Sequence, residues 1–394
     1  MNDWPDGWYR DEPRQRGPGQ VPPTAAGSGR AAWPQQPPVH HASGRASGGP
    51  APGRATPGRR EQPGLGTGRR PRFWGQPGHH GRRIVLIAGA VVVILILAVV
   101  TSYFYLDSKL NRSVALPAYS GQSAGQNWLI AGSDTRQGLS RTEQDLLHVG
   151  SDAGTTNSDS LMLLHTGGGR PVLISIPRDS YVPIPGHGTN KINAALGFGG
   201  PTLLIQTVEQ VTGLRIDHYM GIGFGGLDSV VNQVGGVRMC LPTALHDYDS
   251  GVNLPAGCQN LNGAQALAFV RDRHSFADED LQREQDQRAF LKALLSKATS
   301  PSVYLNPFVA LPFGSTAASS ISIDQGTHLY NLISVALALR NPQTGTVPIA
   351  NANYATANAG DAVLWNQSEA LQLFTALKNN QQIPANLLSG TQVG

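Results

Sequence analysis

The sequence predicts an α/β fold, a mixed α-β-α sandwich that forms an outer domain on a single transmembrane helix. Three observations predict it: an uncharged apolar run at 84–105, alternating strand-like and helix-like patterns after residue 126, and a Gly- and Pro-rich segment before the apolar run. The predicted parts are a cytoplasmic tail (1–83), the membrane helix (84–105), a linker (106–126), the outer domain (127–380) and a C-terminal tail (381–394).

The first 83 residues have the composition of a disordered arm. They hold 16 Gly, 14 Pro, 13 Arg and 5 acidic residues, so this segment carries +8, while the remaining 17 basic and 21 acidic residues give −4. A segment with so little apolar periodicity cannot bury enough surface to offset chain entropy. A solvated arm is therefore predicted, and docking of this arm through its prolines or to anionic lipid is the alternative.

The run at 84–105 has 22 residues without a charged side chain, enough to cross a hydrocarbon core of about 30 Å. Aromatic residues at 103–105 follow it instead of a small-residue cleavage site, which favours an uncleaved anchor over a signal peptide. Five arginines lie shortly before the run, and only Lys109 and Arg112 follow it closely. The positive-inside rule then predicts a single-pass plasma membrane protein with a cytoplasmic N-terminus and an extracellular domain.

The chain has two cysteines, Cys240 and Cys258, and both fall in the outer domain. In an exported domain they predict a disulfide that closes a loop of about 18 residues and contributes roughly 3 kcal/mol. Two unpaired buried thiols are the alternative. The sequence shows no Cys or His spacing typical of a metal site.

The outer domain alternates between apolar patterns of period two and patterns of helical period. The predicted strands are 127–131, 161–166, 172–176, 218–222 and 237–240. The predicted helices are 201–212 closed by Gly213, 224–234, 263–270 capped by Asn262, 278–299, 329–339 and 368–377. In the helix at 278–299, Arg283 and Gln287 are four residues apart and share a face.

Carboxylates follow or precede the predicted strands. Arg178 and Asp179 come directly after the buried run 172–176, Asp134 follows the first strand, and Asp159 precedes the second. Carboxylates at one edge of a sheet suit Mg²⁺, which takes few protein ligands and keeps water or substrate phosphate oxygens in its shell. Taken singly, each aspartate also fits a turn or a cap.

Arginines form the second part of the predicted site. Arginine suits phosphate because its planar fork gives bidentate, charge-assisted hydrogen bonds. The candidates are Arg178, Arg271, Arg273 and Arg283. Spacing alone leaves open the alternative of surface arginines paired with neighbouring acids such as Asp272.

Four histidines and a glycine-rich segment are further candidates for a functional role. His165, His187, His218 and His274 lack an obvious partner in the sequence, so structural roles are predicted for them rather than general-base roles. The glycines at 197–200 lead into a helix but lack the Lys-Ser/Thr ending of a phosphate loop. No nucleotide and no nucleic acid partner is predicted.

Eight motifs, in order, resemble those of the LytR-CpsA-Psr family. They cover about 127–299, with weaker similarity to about 340, and read NWLIAGSDTR, NSDSLMLLH, VLISIPRDSYVPIP, KINAAL, TVEQVTGLRIDHYMGIGFGGL, VNQVGGVRMCL, LNGAQALAFVRDRH and DEDLQREQDQRAFLKAL. The tail, the membrane helix and the outer domain also fit, and the cysteine pair is similar to that of actinobacterial members.

The resemblance implies a phosphotransferase that moves a glycopolymer phosphate from a polyprenyl diphosphate carrier to a peptidoglycan hydroxyl. Asp134 and Asp159 would bind Mg²⁺. The diphosphate would be bound by Arg178, Arg271, Arg273, Arg283 and Gln287, and the catalytic set would be Arg178, Asp179, Arg271 and Arg273. An arginine and metal clamp would stabilise the charge of the transferring group.

The chain departs from the family pattern at two places. Members commonly read Arg-Ser-Asp-Thr where this chain has Asn157-Ser158-Asp159-Ser160, and Asp286 replaces an arginine often found before Gln287. These departures motivate one alternative, a non-catalytic binder or regulator of a lipid-linked glycan. A polyprenyl diphosphate hydrolase is a further alternative, because water can replace the acceptor hydroxyl. Asp179 and Asp134 are the candidates for a general base. The glycan itself, whether arabinogalactan, a teichoic acid or a capsule-like polymer, is not encoded in the motifs.

Overall fold

The computed structural model describes residues 79–136, 139–150, 157–167, 169–272 and 279–388, without the side chains of residues 79, 80, 279–288 and 304. The described helices are α1 His79–Ser108, α2 Arg141–Leu146, α3 Ala194–Thr212, α4 Phe224–Gln233, α5 Gly263–Arg271, α6 Glu279–Ala298, α7 Pro301–Tyr304, α8 Pro307–Ser320, α9 Leu329–Ala338, α10 Gln367–Lys378 and α11 Ala385–Leu388. The predicted tail lies outside the described residues up to residue 78.

The described strands form one large sheet and four two-stranded ribbons. They are β1 Asn111–Val114, β2 Gln126–Ser133, β3 Ser158–Thr166, β4 Val172–Ile176, β5 Tyr181–Ile184, β6 Gly188–Lys191, β7 His218–Ile222, β8 Val237–Leu241, β9 Leu245–Asp247, β10 Val252–Leu254, β11 Gly257–Leu261, β12 Ile321–Asp324, β13 Gln343–Thr346, β14 Ile349–Thr356 and β15 Gly360–Trp365.

The large sheet has seven strands in the order β1-β12-β7-β2-β3-β4-β13. The pairs β2–β7, β4–β13 and β1–β12 are parallel, and the pairs β2–β3, β3–β4 and β7–β12 are antiparallel. The carboxyl ends of β2, β4 and β7 therefore meet the start of β3 at one edge of the sheet. This edge carries the site described below.

Both faces of the sheet are covered, as the sandwich prediction requires. Trp128 packs in a cluster with residues of α9, including Val335, and with Leu291 and Leu295 of α6. Leu129, the next residue along β2, points to the opposite face and is also fully buried. Because side chains alternate along a strand, burial of neighbours places packed layers on both faces.

Local signals in the sequence account for the helix ends. Asn262 and Gln265 form the capping box that starts α5. The helix predicted from 201 begins earlier, at Ala194, because two helical segments join across a kink at Gly199 and Gly200. Gly200 has φ 66°, a left-handed conformation that glycine adopts without strain. Gly213 closes α3 in the same region of φ, as predicted.

Helix α1 contains the whole predicted membrane run. Its stretch Gly81–Ser108 is long and apolar enough to cross a membrane, and none of its most apolar window is buried. A helix with such an exposed apolar window is a candidate membrane span, because protein does not cover the side chains of that window.

The segments predicted as a linker and as a C-terminal tail contribute to the domain, which corrects both predictions for the described residues. Residues 111–114 of the linker form β1, which pairs with β12 at the edge of the sheet. Beyond residue 380, Ile383 and Leu387 are buried, and α11 packs against β13. Both segments lack the long periodic pattern that reveals an element in the sequence, and their placement depends on partners distant in the chain.

The predicted disulfide is present in the structure. Cys240 of β8 and Cys258 of β11 face each other directly across an antiparallel pair of strands. This ribbon lies over a second core, formed mainly by α4, α5, β8 and the β9–β10 hairpin, into which Phe290 and Leu294 of α6 also pack. The disulfide therefore joins two strands that are already held by this core.

Candidate active site

A β-bulge presents Asp159 at the edge of the sheet. Gly132 pairs with Ser160, but the next residue, Ser133, pairs with Ser158, so Asp159 is the extra residue of β3. An extra residue bends the strand and changes the direction of its side chain, and such bulges are common beside active sites. The acidic residue predicted from the sequence is thereby directed away from the regular pleat.

Asp134 lies next to this bulge, directly after β2. Its Oδ1 accepts a hydrogen bond of 2.6 Å from the backbone N–H of Asn157, and its own N–H donates to the carbonyl of Asn157 at 3.0 Å. These two bonds tie the end of β2 to the start of β3. The structure thus brings together the two carboxylates that the sequence predicts as metal ligands.

A tight turn after β4 places Arg178 and Asp179. Pro177, which has no N–H to continue the strand ladder, ends β4. The N–H and the hydroxyl of Ser180 both donate to the carbonyl of Pro177, at 3.0 and 2.6 Å. The indole Nε1 of Trp365 donates to the same hydroxyl at 2.8 Å, which fixes the turn from the other side.

Four side chains of alternating charge run along this edge. The Nη1 of Arg178 lies 2.9 Å from Oδ1 of Asp159, and its Nε lies 3.2 Å from Oδ2 of Asp179. The Nζ of Lys191, at the end of β6, lies 3.1 Å from the other oxygen of Asp179. Each of these side chains is between 18% and 26% exposed, so the row is partly shielded yet still reachable by a ligand.

Arg271 reaches the same region from the last turn of α5. Its Nη1 donates to the carbonyl of His148 at 3.2 Å, and its guanidinium lies 5.0 Å from the ring centroid of Phe224. His148 has φ 49°, a left-handed conformation that turns the chain at this carbonyl. The hydrogen bond to His148 and the stacking on Phe224 fix the position of this guanidinium at the edge of the cavity.

A cavity of about 680 Å³ joins these groups to the interior. Its charged and polar end is lined by Asp134, Arg136, Asn157, Asp159, Arg178 and Arg271. Further along the strands the lining becomes apolar, with Ile130, Met162 and Met220 from the sheet, Phe290, Leu291, Leu294 and Leu295 from α6, and Phe313 and Ala317 from α8. The cavity therefore suits a long molecule with a strongly polar head and a hydrocarbon tail.

At the charged end the two aspartates are close enough for the charge of one to affect the other. Burial raises the pKa of Asp134, and the neighbouring charge of Asp159 raises it further, against the lowering effects of the Asn157 N–H and of Arg136. A bound cation would remove the penalty on the ionised form. Among the described residues no group of three or more His, Cys, Asp or Glu side chains could hold a metal ion by itself.

The structure places five of the predicted site residues together: Asp134, Asp159, Arg178, Asp179 and Arg271. Arg273 lies outside the described residues, and Arg283 and Gln287 belong to the stretch of α6 whose side chains are not described. Asp179 lies between two cationic side chains, Arg178 and Lys191.

Sequence reasoning missed Arg136 and Lys191. Arg136 lines the cavity, with its Nε donating to the carbonyl of Val149 at 2.7 Å, and Lys191 holds Asp179. Both residues belong to motifs that resemble those of the family: Arg136 ends NWLIAGSDTR, and Lys191 begins KINAAL. Arg136 supplies a basic side chain close to Asn157, where family members commonly carry an arginine.

Three of the four histidines considered in the sequence lie among the described residues, and each of them contacts another side chain. His165 is buried, its Nδ1 lies 2.8 Å from the Oδ1 of Asn127, and burial lowers its pKa. His218 stacks on Trp128 and lies 3.4 Å from the buried Asp324. His187 stacks on Phe198. The fourth, His274, lies outside the described residues.

Comparison with known proteins supports the assignment made from the motifs. The model of the LytR-CpsA-Psr family matches residues 101–379. A probable cell wall biosynthesis protein, LcpB of Corynebacterium glutamicum, is 46% identical over 295 residues, which are 74% of this chain and 70% of that protein.

A second relative, more distant, is named for its activity. The polyisoprenyl-teichoic acid–peptidoglycan teichoic acid transferase TagU of Oceanobacillus iheyensis is 32% identical over 200 residues, which are 49% of this chain and 58% of that protein. This chain thus matches only a little more than half the length of that transferase.

The fold is also found in a solved structure. A LytR-Csp2A-Psr enzyme from Actinomyces oris superimposes with a TM-score of 0.53 and 21% identity, and the match covers 68% of this chain and 96% of that one. With the family model matching more than half of its residues, this chain belongs to the LytR-CpsA-Psr family.

Proposed function

We propose that this protein is a membrane-anchored phosphotransferase that attaches a cell-wall glycopolymer to peptidoglycan. The donor is a glycan on a polyprenyl diphosphate, and the acceptor is a hydroxyl of peptidoglycan. The observation that carries the proposal is the cavity of about 680 Å³ that leads from a charged edge into an apolar interior. The names of the relatives from Corynebacterium and Oceanobacillus, a cell wall biosynthesis protein and a teichoic acid transferase, support the same activity.

In the proposed reaction the acceptor oxygen attacks the phosphorus that carries the glycan. The bond from this phosphorus to the bridging diphosphate oxygen breaks, polyprenyl phosphate leaves, and the acceptor proton passes to solvent or to a basic group. Arg178 and Arg271 line the charged end of the cavity, where they would bind the diphosphate oxygens and stabilise the negative charge of the transferring group. The apolar walls supplied by α6 and α8 would hold the prenyl tail.

Mg²⁺ is part of the proposal. Asp134 and Asp159 would hold the ion, and the ion would neutralise charge on the diphosphate. Two carboxylates suffice because Mg²⁺ commonly completes its shell with phosphate oxygens and water. The residues fit this group, since one acid sits on a bulge beside the other and basic side chains for phosphate lie within the same cavity.

The orientation of the chain completes the proposal. The arginines before α1 favour a cytoplasmic N-terminus and an extracellular catalytic domain in the plasma membrane. A carrier lipid in the same membrane then presents its diphosphate on the side where the domain lies. Attachment of a polymer to peptidoglycan requires a catalytic domain on the extracellular side of the membrane.

The test is transfer by the full chain, with Arg178→Ala and a matched arginine variant. Arg170 lies just before β4 on the exposed surface and binds Asn341, whereas Arg178 follows β4 at the cavity, so Arg170→Ala removes an arginine from the opposite end of the same strand. The chain in detergent micelles would be incubated with a short-chain polyprenyl diphosphate glycan, peptidoglycan fragments and Mg²⁺, and products would be followed by mass spectrometry.

Glycan phosphate joined to the fragment is expected with the wild type and with Arg170→Ala but not with Arg178→Ala, and removal of Mg²⁺ by chelation should abolish it reversibly. Release of glycan phosphate without any dependence on peptidoglycan would instead assign a hydrolase. Bound but unchanged donor in every sample would assign a binder. The thermal unfolding of each variant, compared with the wild type, shows whether loss of product reflects loss of the fold.

A further inference from the structure

The surface formed by α7 and α8 has a composition unlike the rest of the domain. Between 301 and 339 the chain has no Lys or Arg and one acidic residue, Asp324, whose side chain is fully buried. At the corner between α7 and α8, Leu305 is 71% exposed and Phe308 is 88% exposed. Large apolar side chains without neighbouring charge are unusual on a water-facing surface and mark a contact with another apolar phase.

Helix α8 lies alongside the last turns of α1, and the contacts fix its direction. A Cβ added at Gly314 would lie 3.0 Å from Cδ1 of Leu106. Four residues later in each segment, Leu110 and Ala318 pack in one cluster. The two segments therefore run in the same direction, with the start of α8 toward the membrane portion of α1.

The exposure of α1 agrees with this direction. In its last turns Ser102, Tyr103, Leu106 and Asp107 are half-buried, while the other residues from 101 to 108 are exposed. These four residues share one face of the helix, because they are spaced by one and four positions. One face of α1 is thus covered by the domain before the apolar run of the sequence has ended.

The level of Phe308 along α1 follows from helix geometry. Phe308 precedes Gly314 by six residues, which at about 1.5 Å per residue places it about 9 Å further toward the membrane than the contact with Leu106. The same distance back along α1 reaches Val100, a residue well inside the apolar run. The α7–α8 corner therefore lies at the depth of the membrane-spanning segment.

We propose that the α7–α8 corner, led by Leu305 and Phe308, is inserted in the lipid leaflet next to the outer domain. Its occupant is the bilayer, since the corner is charge-free, apolar and at the level of residues that α1 places among lipid chains. This contact sets the domain in a fixed orientation on the membrane. It depends on α1 crossing the membrane and is independent of the proposed reaction.

The test measures membrane depth in the full chain, reconstituted in nanodiscs. Phe308→Cys and Leu305→Cys would each carry a nitroxide spin label, and the native cysteines do not compete because they are joined in a disulfide. Tyr248→Cys is the control, because Tyr248 is 97% exposed and lies between Asp247 and Asp249, two acids of the cavity lining. Relaxation by oxygen, which partitions into lipid, is compared with relaxation by a water-soluble nickel chelate.

The ratio of oxygen to nickel relaxation is expected to be at least several-fold higher at residues 305 and 308 than at residue 248. Equal ratios at the three positions would overturn the proposal. A high ratio at 308 that disappears when each nanodisc holds a single chain would assign the corner to a second copy instead of lipid, and would also overturn it. Because both corner residues are exposed, neither cysteine variant removes a packing contact that the fold needs.

Discussion

The pH dependence of stability is expected to be governed in part by one buried acid, Glu209 of α3. Its side chain is 3% exposed and accepts a hydrogen bond of 2.9 Å from the backbone N–H of Ile216. Burial raises the pKa of Glu209 to about 7 from an ordinary value of 4.5, and the charge of Asp217 adds to this, while the Ile216 N–H and Arg215 act in the opposite direction. The informative perturbation is Glu209→Gln.

The direction in which pH changes the free energy of unfolding depends on whether the folded or the unfolded state keeps Glu209 protonated. Between pH 4.5 and about 7 the folded protein keeps Glu209 protonated while the unfolded chain has lost the proton, so the free energy of unfolding falls as pH rises through this window. A shift from 4.5 to about 7, at about 1.36 kcal/mol for each pH unit, gives a loss of about 3 kcal/mol at neutral to basic pH. Below pH 4.5 both states are protonated and the loss is absent.

The assay is equilibrium unfolding of the full chain by denaturant in detergent micelles, at several values of pH from 4 to 8. The glutamine variant removes the ionisable group and can still accept the hydrogen bond from Ile216. The free energy of unfolding of the variant is therefore expected to increase relative to that of the wild type by about 3 kcal/mol as pH rises. Glu369→Gln, on the half-exposed N-terminal turn of α10, is the matched surface control for the same change of side chain. A difference between Glu209→Gln and the wild type that does not change with pH would refute the reasoning.

Two further predictions concern the second core and the helix that carries Arg271. Replacing both Cys240 and Cys258 by serine removes a cross-link between positions 18 residues apart, so the free energy of unfolding should fall by about 3 kcal/mol. As a control, a reductant should destabilise the wild type but not the double variant. Asn262→Ala removes the side chain that accepts from the Gln265 N–H at 2.9 Å, so a loss of about 1 kcal/mol is expected in the same assay, and Asn262→Asp, which keeps an acceptor, should recover most of it.

The elements that the sequence predicted well are those with strong local signals. The strand at 172–176 has the predicted bounds, because its mostly apolar run stands between Pro171 and Pro177. Helix α5 was predicted within one residue because Asn262 starts it with a capping box. Such signals act within a few residues and do not depend on the rest of the fold.

The elements that were missed depend on distant partners. Helix α8 contains Pro312 and Gly314 and many Ser and Thr, so its own helix propensity is poor, and its packing against α1 and around the cavity stabilises it instead. Strand β14, with the sequence IANANYAT, is mostly exposed and lacks an apolar alternation, so only its pairing with β15 defines it. These elements form because of tertiary contacts that a single sequence does not display.

The residues of the site also divide into those that local sequence signals predict and those whose place depends on distant contacts. Asp134, Asp159 and Arg178 could be predicted because each lies next to a predicted strand end. Lys191 and Asp179 come together because β5 and β6 form a hairpin, in which Tyr181 pairs with Lys191. The sequence spacing of the two residues does not indicate their ion pair. The bulge at Asp159 is equally hidden, since it is a property of the register between β2 and β3.

Helix α8 lies between the cavity and the end of α1. Phe313 and Ala317 line the cavity, while Gly314, the residue after Phe313, and Ala318, the residue after Ala317, face the end of α1. A membrane helix changes its tilt when the hydrophobic thickness of the bilayer changes. Because α8 approaches α1 closely at Gly314, we expect a change in the tilt of α1 to displace α8 and, with it, the apolar wall of the cavity. If the proposed lipid-linked donor binds there, the fit of its prenyl chain would depend on the thickness of the bilayer.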